Sequence, residues 1–134
     1  MTFLSKEFLV KSRSKTEFIN IDRTIQAIIT ENHIRDGICT IFIPHTTAAV
    51  TINENADPDV IRDMTMELSK IVPFEDAYLH IEGNSAAHIK SAIVGASEQI
   101  IIEDGRLKLG TWQSVFLCEF DGPRTRKVWL HLMV

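Results

Sequence analysis

Hydrophobic positions along the chain change period several times, and each change marks a different element. Between Trp112 and Phe120 the even positions are Trp, Ser, Phe, Cys and Phe, and between Val128 and Val134 they are Val, Leu, Leu and Val. This period of two predicts half-buried strands, with Asp121-Gly122-Pro123 turning one into the other. Residues 2–12 and 16–21 are rich in Phe, Leu, Val and Ile around a polar break at Ser12-Arg13-Ser14-Lys15, and read as two strands joined by a turn. Ile25, Ile28 and Ile29 then recur at helical spacing. Asp22 is the expected cap of that helix and Gly37 its expected stop.

The run from Ile38 to Ile43 is short and β-branched, which predicts a buried strand ended by Pro44. Residues 48–53 continue as another strand. Asp57-Pro58 combines a capping carboxylate with a proline at the first turn, and Ile61, Met64, Leu68 and Ile71 mark one face of the helix that follows. Residues 78–82 are read as extended. A shorter helix begins after Asn84-Ser85, with Ala86, Ile89 and Ile93 on one side and Ser91 on the other, and Glu98 to Ile102 is strand-like before the turn residues Glu103-Asp104-Gly105-Arg106. Strands adjoin in hairpins more than they alternate with helices, so the expected class is α+β with mainly antiparallel sheets.

The chain of 134 residues suits a single domain, 1–134, with no linker or repeat. Fourteen Lys and Arg against eighteen Asp and Glu give a net charge of −4, and the basic residues form only short clusters, Lys11-Arg13-Lys15 and Arg124-Arg126-Lys127. Nucleic acid is therefore not an expected partner. No apolar run approaches the roughly 20 residues of a membrane span and no leader pattern opens the chain, so a cytoplasmic protein without membrane contact is expected. Cys39 and Cys118 stand alone inside apolar runs and read as reduced, buried thiols. Phosphate-binding glycine motifs of the GxGxxG and GxxxxGK[ST] types are absent.

Three stretches carry polar residues against this core pattern. In Ile43-Pro44-His45-Thr46-Thr47 a buried strand ends in a histidine and two hydroxyls, a set suited to metal ligation, proton transfer or a phosphate oxygen. In Asn53-Glu54-Asn55-Ala56-Asp57-Pro58-Asp59 capping and the helix dipole account for Asp57 and Asp59 but leave Glu54 unexplained. In Tyr78 to Ser91, His80 and Glu82 share one face of an extended segment. His88 falls in the first turn of the next helix, with Lys90 and Ser91 beside an end suited to anions. His45, His80 and His88 could together form a three-histidine zinc site with an open position. His33, near a helix end, and His131, on the face opposite Val128, Leu130 and Leu132, are left out of it.

In this order, His45-Thr46-Thr47-Ala48-Ala49, Asn53-Glu54-Asn55-Ala56-Asp57-Pro58, Glu82-Gly83-Asn84, His88-Ile89-Lys90-Ser91, Gly105-Arg106-Leu107, Leu109-Gly110-Thr111-Trp112-Gln113 and Glu119 resemble the YjbQ-like family, also called the secondary thiamine-phosphate synthase family. The resemblance implies a small α+β protein with two packed β layers that assembles as a homotrimer. It also implies a polar pocket holding the motif histidines and a divalent metal. The activity it implies couples a pyrimidine pyrophosphate to a thiazole phosphate with release of pyrophosphate, as a secondary reaction.

The reading that results is metal-dependent chemistry on a phosphorylated small molecule. His45, His80 and His88 would hold the metal, zinc or, with a pyrophosphate substrate, magnesium. Glu54, Glu82 or Glu119 would orient a histidine or act as general base. Thr46, Thr47, Lys90 and Ser91 would grip phosphate, with Trp112 and Gln113 against the substrate ring. Metal-assisted hydrolysis of a phosphoester is the alternative within enzymes, and a non-catalytic metabolite- or metal-binding protein the alternative outside them.

Overall fold

Strand β1 (Phe3–Lys11), β2 (Glu17–Asn20) and helix α1 (Asp22–Glu31) open the computed structural model, which describes residues 2–134. They are followed by β3 (Gly37–Phe42), β4 (Ala48–Glu54), α2 (Pro58–Ile71) and α3 (Ser85–Val94). The chain closes with β5 (Ser97–Glu103), β6 (Arg106–Leu107), β7 (Gln113–Glu119) and β8 (Thr125–Met133). One sheet runs β1-β8-β3-β5-β6 and the other β2-β7-β4, and every pairing is antiparallel. The α+β class with two β layers is thus what the molecule has.

The alternation of the strands decides how the layers stack. Cys39, Ile41, Ile100, Ile102, Val128, Leu130 and Leu132 project from the larger sheet onto Ala48, Val50, Val115 and Leu117 of the smaller one. Ile25 and Ile29 of α1 are fully buried and join the same core. On the other face of the small sheet, Ala49, Cys118 and Phe120 pack with Ala87 of α3 and with Leu68 of α2. Among the described residues no helix is long and apolar enough to cross a membrane.

Several local expectations are corrected. Asp22 does not cap α1: its carboxylate accepts the Val115 N–H at 2.6 Å and ties the helix to β7, while Asn20 Oδ1 accepts the Asp22 N–H. The helix stops at Glu31, well before Gly37, with His33 in the left-handed region at φ 55°. Gly37 instead opens β3, where a Cβ would run into the Met133 carbonyl. Residues 78–82 form no strand, and a two-residue strand, β6, follows the turn at Asp104-Gly105.

Helix α2 starts as expected, with Asp57 Oδ1 accepting the Asp59 N–H at 2.9 Å, yet it has no fully buried residue and leaves Ile71 exposed. Helix α3 is turned the other way from its apolar pattern. Ile89 and Ile93 are exposed, and Ala86, Ala87, Lys90 and Ser91 face inward. The small side chains Ala86 and Ala87 permit close approach to a sheet whose own facing residues include Ala49, and that contact excludes the bulkier isoleucines.

Candidate functional site

The chain crosses from β3 in one sheet to β4 in the other through Ile43–Thr47, and this crossing is fastened from below. Arg126, buried in β8, donates to the Thr47 carbonyl at 3.1 Å and to Thr47 Oγ1 at 2.9 Å. Its guanidinium also engages both oxygens of Glu119, through Nε at 2.9 Å and through Nη2. Glu119 has no exposed surface and accepts as well from Ser12 Oγ at 2.7 Å and the Asp121 N–H at 3.0 Å. Burial alone would raise its pKa, but the bonds from Arg126, Ser12 and Asp121 outweigh that and hold it below 4.5. The expected role of Glu119 as general base is corrected accordingly. It is an anchor, ionised at neutral pH and sealed from solvent, that positions the His45–Thr47 segment through Arg126.

His45 lies at the crossing with Nε2 accepting the Lys127 N–H at 2.8 Å. Burial, with the nearby Arg126 charge adding to it, lowers its pKa from 6.5. The ring is therefore neutral near pH 7. With the Nε2 lone pair committed, the proton is assigned to Nδ1. In this arrangement His45 has no free lone pair for a metal, although it can donate a hydrogen bond to a ligand oxygen.

His45, Thr46, His88 and Ser91 border one hollow of about 460 Å³. Thr46 is exposed there, whereas the Thr47 hydroxyl is held by Arg126. Ser91 Oγ is buried without any hydrogen-bond partner, an unsatisfied group that a ligand oxygen would satisfy. His88 also borders a second hollow, of about 420 Å³, with His80, Tyr78 and Ser85. The His80 and His88 rings meet edge to face, their centroids 5.5 Å apart. Among the described residues no three His, Cys, Asp or Glu side chains come close enough to share a metal ion. Two imidazoles of the expected three stand together, and the third is engaged by the backbone.

At the start of α3, Asn84 makes no side-chain cap. Its Nδ2 donates to Asp121 Oδ2 at 2.9 Å and lies 3.5 Å from Glu82 Oε2, while Oδ1 is buried without a partner. Lys90, an expected phosphate ligand, points away from both hollows. It is 1% exposed, with Nζ 3.5 Å from Ser69 Oγ and near the rings of Phe74 and Phe120. Burial, then the charge of Lys15, lowers its pKa from 10.5.

Glu54, Trp112 and Gln113 lie elsewhere. In the β4–β7 pairing Ala48 faces Glu119 and Glu54 faces Gln113, so the two groups sit at opposite ends of the sheet. Six residue steps of strand separate them by roughly 20 Å. Gln113 Oε1 accepts the Gly110 N–H at 2.8 Å to close a tight turn, and Trp112 is 63% exposed. The hollow on the outer face of the larger sheet, of about 480 Å³ beside Trp129 and Phe42, contains none of the expected residues.

The structure also brings together what the sequence reading kept apart. Lys11 pairs with Thr125, the Ser12 N–H donates to the Arg124 carbonyl, and the Gly122 N–H donates to the Lys15 carbonyl. Both short basic clusters therefore meet at one corner, next to His45 through Lys127 and next to Asn84 through the Arg124–Asp121 ion pair at 2.9 Å. Arg126 was visible in principle. It shares the parity of Val128, Leu130 and Leu132, so a charged residue sat on the core-facing side of a strand.

A model of the family described as "UPF0047 protein YjbQ-like" matches residues 6–134. YugU of Bacillus subtilis is 49% identical over 129 residues, 96% of this chain and 98% of that protein. A UPF0047 protein of Methanocaldococcus jannaschii is 46% identical, covering 95% of this chain and 92% of its own. Among solved structures, an uncharacterised YjbQ/UPF0047 protein of Clostridium acetobutylicum superposes with a TM-score of 0.93 at 49% identity, covering 96% of this chain and 99% of that one. A conserved hypothetical protein of Thermus thermophilus superposes with a TM-score of 0.90 at 40% identity, covering 96% and 99%.

Proposed function

Because the chain belongs to the UPF0047 YjbQ-like family, we propose that it handles a phosphorylated small molecule in the hollow between His45 and His88. One observation carries this reading: an unsatisfied, buried Ser91 hydroxyl lines the same hollow as His45, whose ring lies within reach of the charges of Arg126 and Arg124. Phosphate is bound by hydrogen-bond donors and positive charge together. Thr46, Ser91 and the Nδ1–H of His45 would donate, Arg126 and Arg124 would supply charge from behind His45, and His88 borders both hollows.

A divalent metal, zinc in the first instance, would be held by His80 and His88 and would supply positive charge to phosphate oxygens when bound. Two neighbouring imidazoles suit such an ion, and the remaining positions would fall to substrate oxygens or water. Glu82, two residues from His80 and 3.5 Å from Asn84 Nδ2, is the carboxylate that would orient a histidine or take a proton. In thiamine-phosphate synthesis the bond to pyrophosphate breaks with its electron pair leaving on the phosphate oxygen, so the task of these residues is to neutralise that charge. With Glu119 locked to Arg126, binding without turnover is the second reading. Homotrimer assembly belongs to the same proposal, since Leu79 and Ile81 beside His80 are 96% and 100% exposed and a neighbour would cover them.

Calorimetric titration with inorganic pyrophosphate, with and without zinc, tests the site in untagged protein. Saturable binding that weakens at least about tenfold in His88→Ala is expected. Equal binding by wild type and variant would end the proposal. Turnover of the two thiamine precursors that disappears in Glu82→Gln at unchanged affinity would identify an enzyme, and binding with no turnover a binding protein.

A further inference from the structure

We infer that the outer face of the larger sheet holds a second binding site, separate from the phosphate hollow, for a planar nitrogen-heterocyclic cation that stacks between Trp129 and His131 with Glu7 as its counter-charge. Strand register builds the site. Ser5, His131 and Thr40 form one rung across β1, β8 and β3, and Glu7, Trp129 and Phe42 form the next rung on the same face. These six residues border a hollow of about 480 Å³, a size that suits a small molecule. Lys6 and Leu130 also border it, but they pair with each other between the two rungs, and Leu130 packs in the core. Strand alternation sends the Lys6 side chain the same way, so this pair forms the floor.

The spacing admits one flat ring. Residues two apart on a strand stand roughly 7 Å from each other. Carbon atoms in contact lie roughly 3.5 Å apart, so a single ring fills the gap between two aromatic walls. Both walls are braced. The Trp129 indole stacks on Phe42 within its own rung, with centroids 6.0 Å apart and planes 20° apart. The His131 ring stacks on Phe3 at 5.3 Å and 21°. Phe3 pairs with Met133, on the side away from Trp129, so neither brace stands between the two rungs. Trp129 and Phe42 remain 45% and 44% exposed, aromatic surface that the chain itself leaves uncovered.

Charge selects the ligand. Glu7 Oε2 accepts the Trp129 indole N–H at 2.7 Å, which fixes a carboxylate at the edge of the ring. Among the described residues Glu7 forms no ion pair, and Lys127 stands a rung further on, beyond Trp129. A cation over the indole is favoured by the electron-rich face of the ring, and beside Glu7 by its charge. An anion would meet the same carboxylate at a cost. His131 Nδ1 lies 3.1 Å from Ser5 Oγ, which leaves Nε2 for a polar substituent on the ligand.

Fluorescence titration of Trp112→Phe, in which Trp129 is the tryptophan that remains, tests this with two probes sharing one ring: 1-methylnicotinamide, a cation, and nicotinamide, which is neutral. Saturable quenching by the cation is expected, with binding at least about tenfold tighter than that of the neutral amide. Adding Glu7→Gln should abolish that preference, and adding His131→Ala should weaken both probes. Glu7 and His131 are exposed, so these variants should fold, and unchanged thermal melts check that they do.

Quenching that rises without saturation, as random collision gives, would overturn the inference, and so would equal binding of the two probes. A second copy of this chain seated on the face would shield Trp129 from both probes, and that result overturns it as well. No pyrophosphate enters the titration, so failure of the phosphate reading would leave this site standing, and failure here would leave the phosphate reading untouched.

Discussion

Glu119 and Arg126 face each other at the end of the sheets with 0% and 2% of their side chains exposed, and among the described residues neither forms a second ion pair. A buried pair of this kind contributes little compared with a well-packed apolar pair, but removing one member strands the other. Arg126→Met is therefore expected to destabilise the fold by about 3–5 kcal/mol in urea denaturation. The double change Arg126→Met with Glu119→Leu should lose less than the single one. A single variant with wild-type stability would contradict the account.

The same pair sets an acid limit. Because the folded Glu119 pKa lies below 4.5, the folded protein binds fewer protons than the unfolded chain in that range. Its contribution is complete above pH 4.5 and is lost as pH falls through the folded value. Denaturation midpoints measured below pH 4.5 should drop more steeply for wild type than for the double variant.

Lys90 makes the opposite kind of prediction. It is a buried cation that forms no ion pair among the described residues, so the fold bears its desolvation. Lys90→Met keeps the length and removes the charge, and a higher melting temperature with unchanged pyrophosphate affinity is expected. Since the folded pKa is below 10.5, the unfolded chain binds the extra proton, and wild-type stability should rise as pH climbs towards 10.5. Loss of pyrophosphate binding in Lys90→Met would return the residue to the site.

For His45, the bond from the Lys127 N–H and the low pKa make one statement: the ring resists protonation. Its folded pKa is depressed, so the stability it contributes is full above pH 6.5 and lost as pH falls through the folded value. A histidine-selective NMR titration should place the His45 midpoint below 6.5. A midpoint above that would show that Nε2 is free.

Burial pushes the Cys39 thiol up to about 12 and raises that of Cys118 as well. Thiolate, the reactive form, is scarce in both at pH 8. Native protein should react with a thiol reagent no faster than it opens, and both thiols should become available in urea. Fast labelling of either in native protein would contradict the packing.

How far the sequence was legible differs from element to element. Strands β7 and β8 were readable because their alternation is local, and α2 because Asp57 and Pro58 announce its start in adjacent positions. The inward face of α3 was not readable. Its isoleucines give the stronger hydrophobic signal, yet the fit of Ala86 and Ala87 against a small-residue patch on β4 and β7 decided the orientation. Capping by Asp22 failed for a related reason, since a distant backbone N–H on β7 offered its carboxylate a better partner.

From the sequence alone came the α+β class, the family resemblance, and the stretches that contain His45, His80, His88 and Ser91. Tertiary structure decided which of these share a hollow. It closed Glu119 onto Arg126, drew two distant basic clusters to one corner, and carried Glu54 and Trp112 to the far end of the same sheet. Periodicity records only which side of an element a residue is on, whereas the distance between residues on different elements follows from strand register and layer packing, which no local pattern encodes.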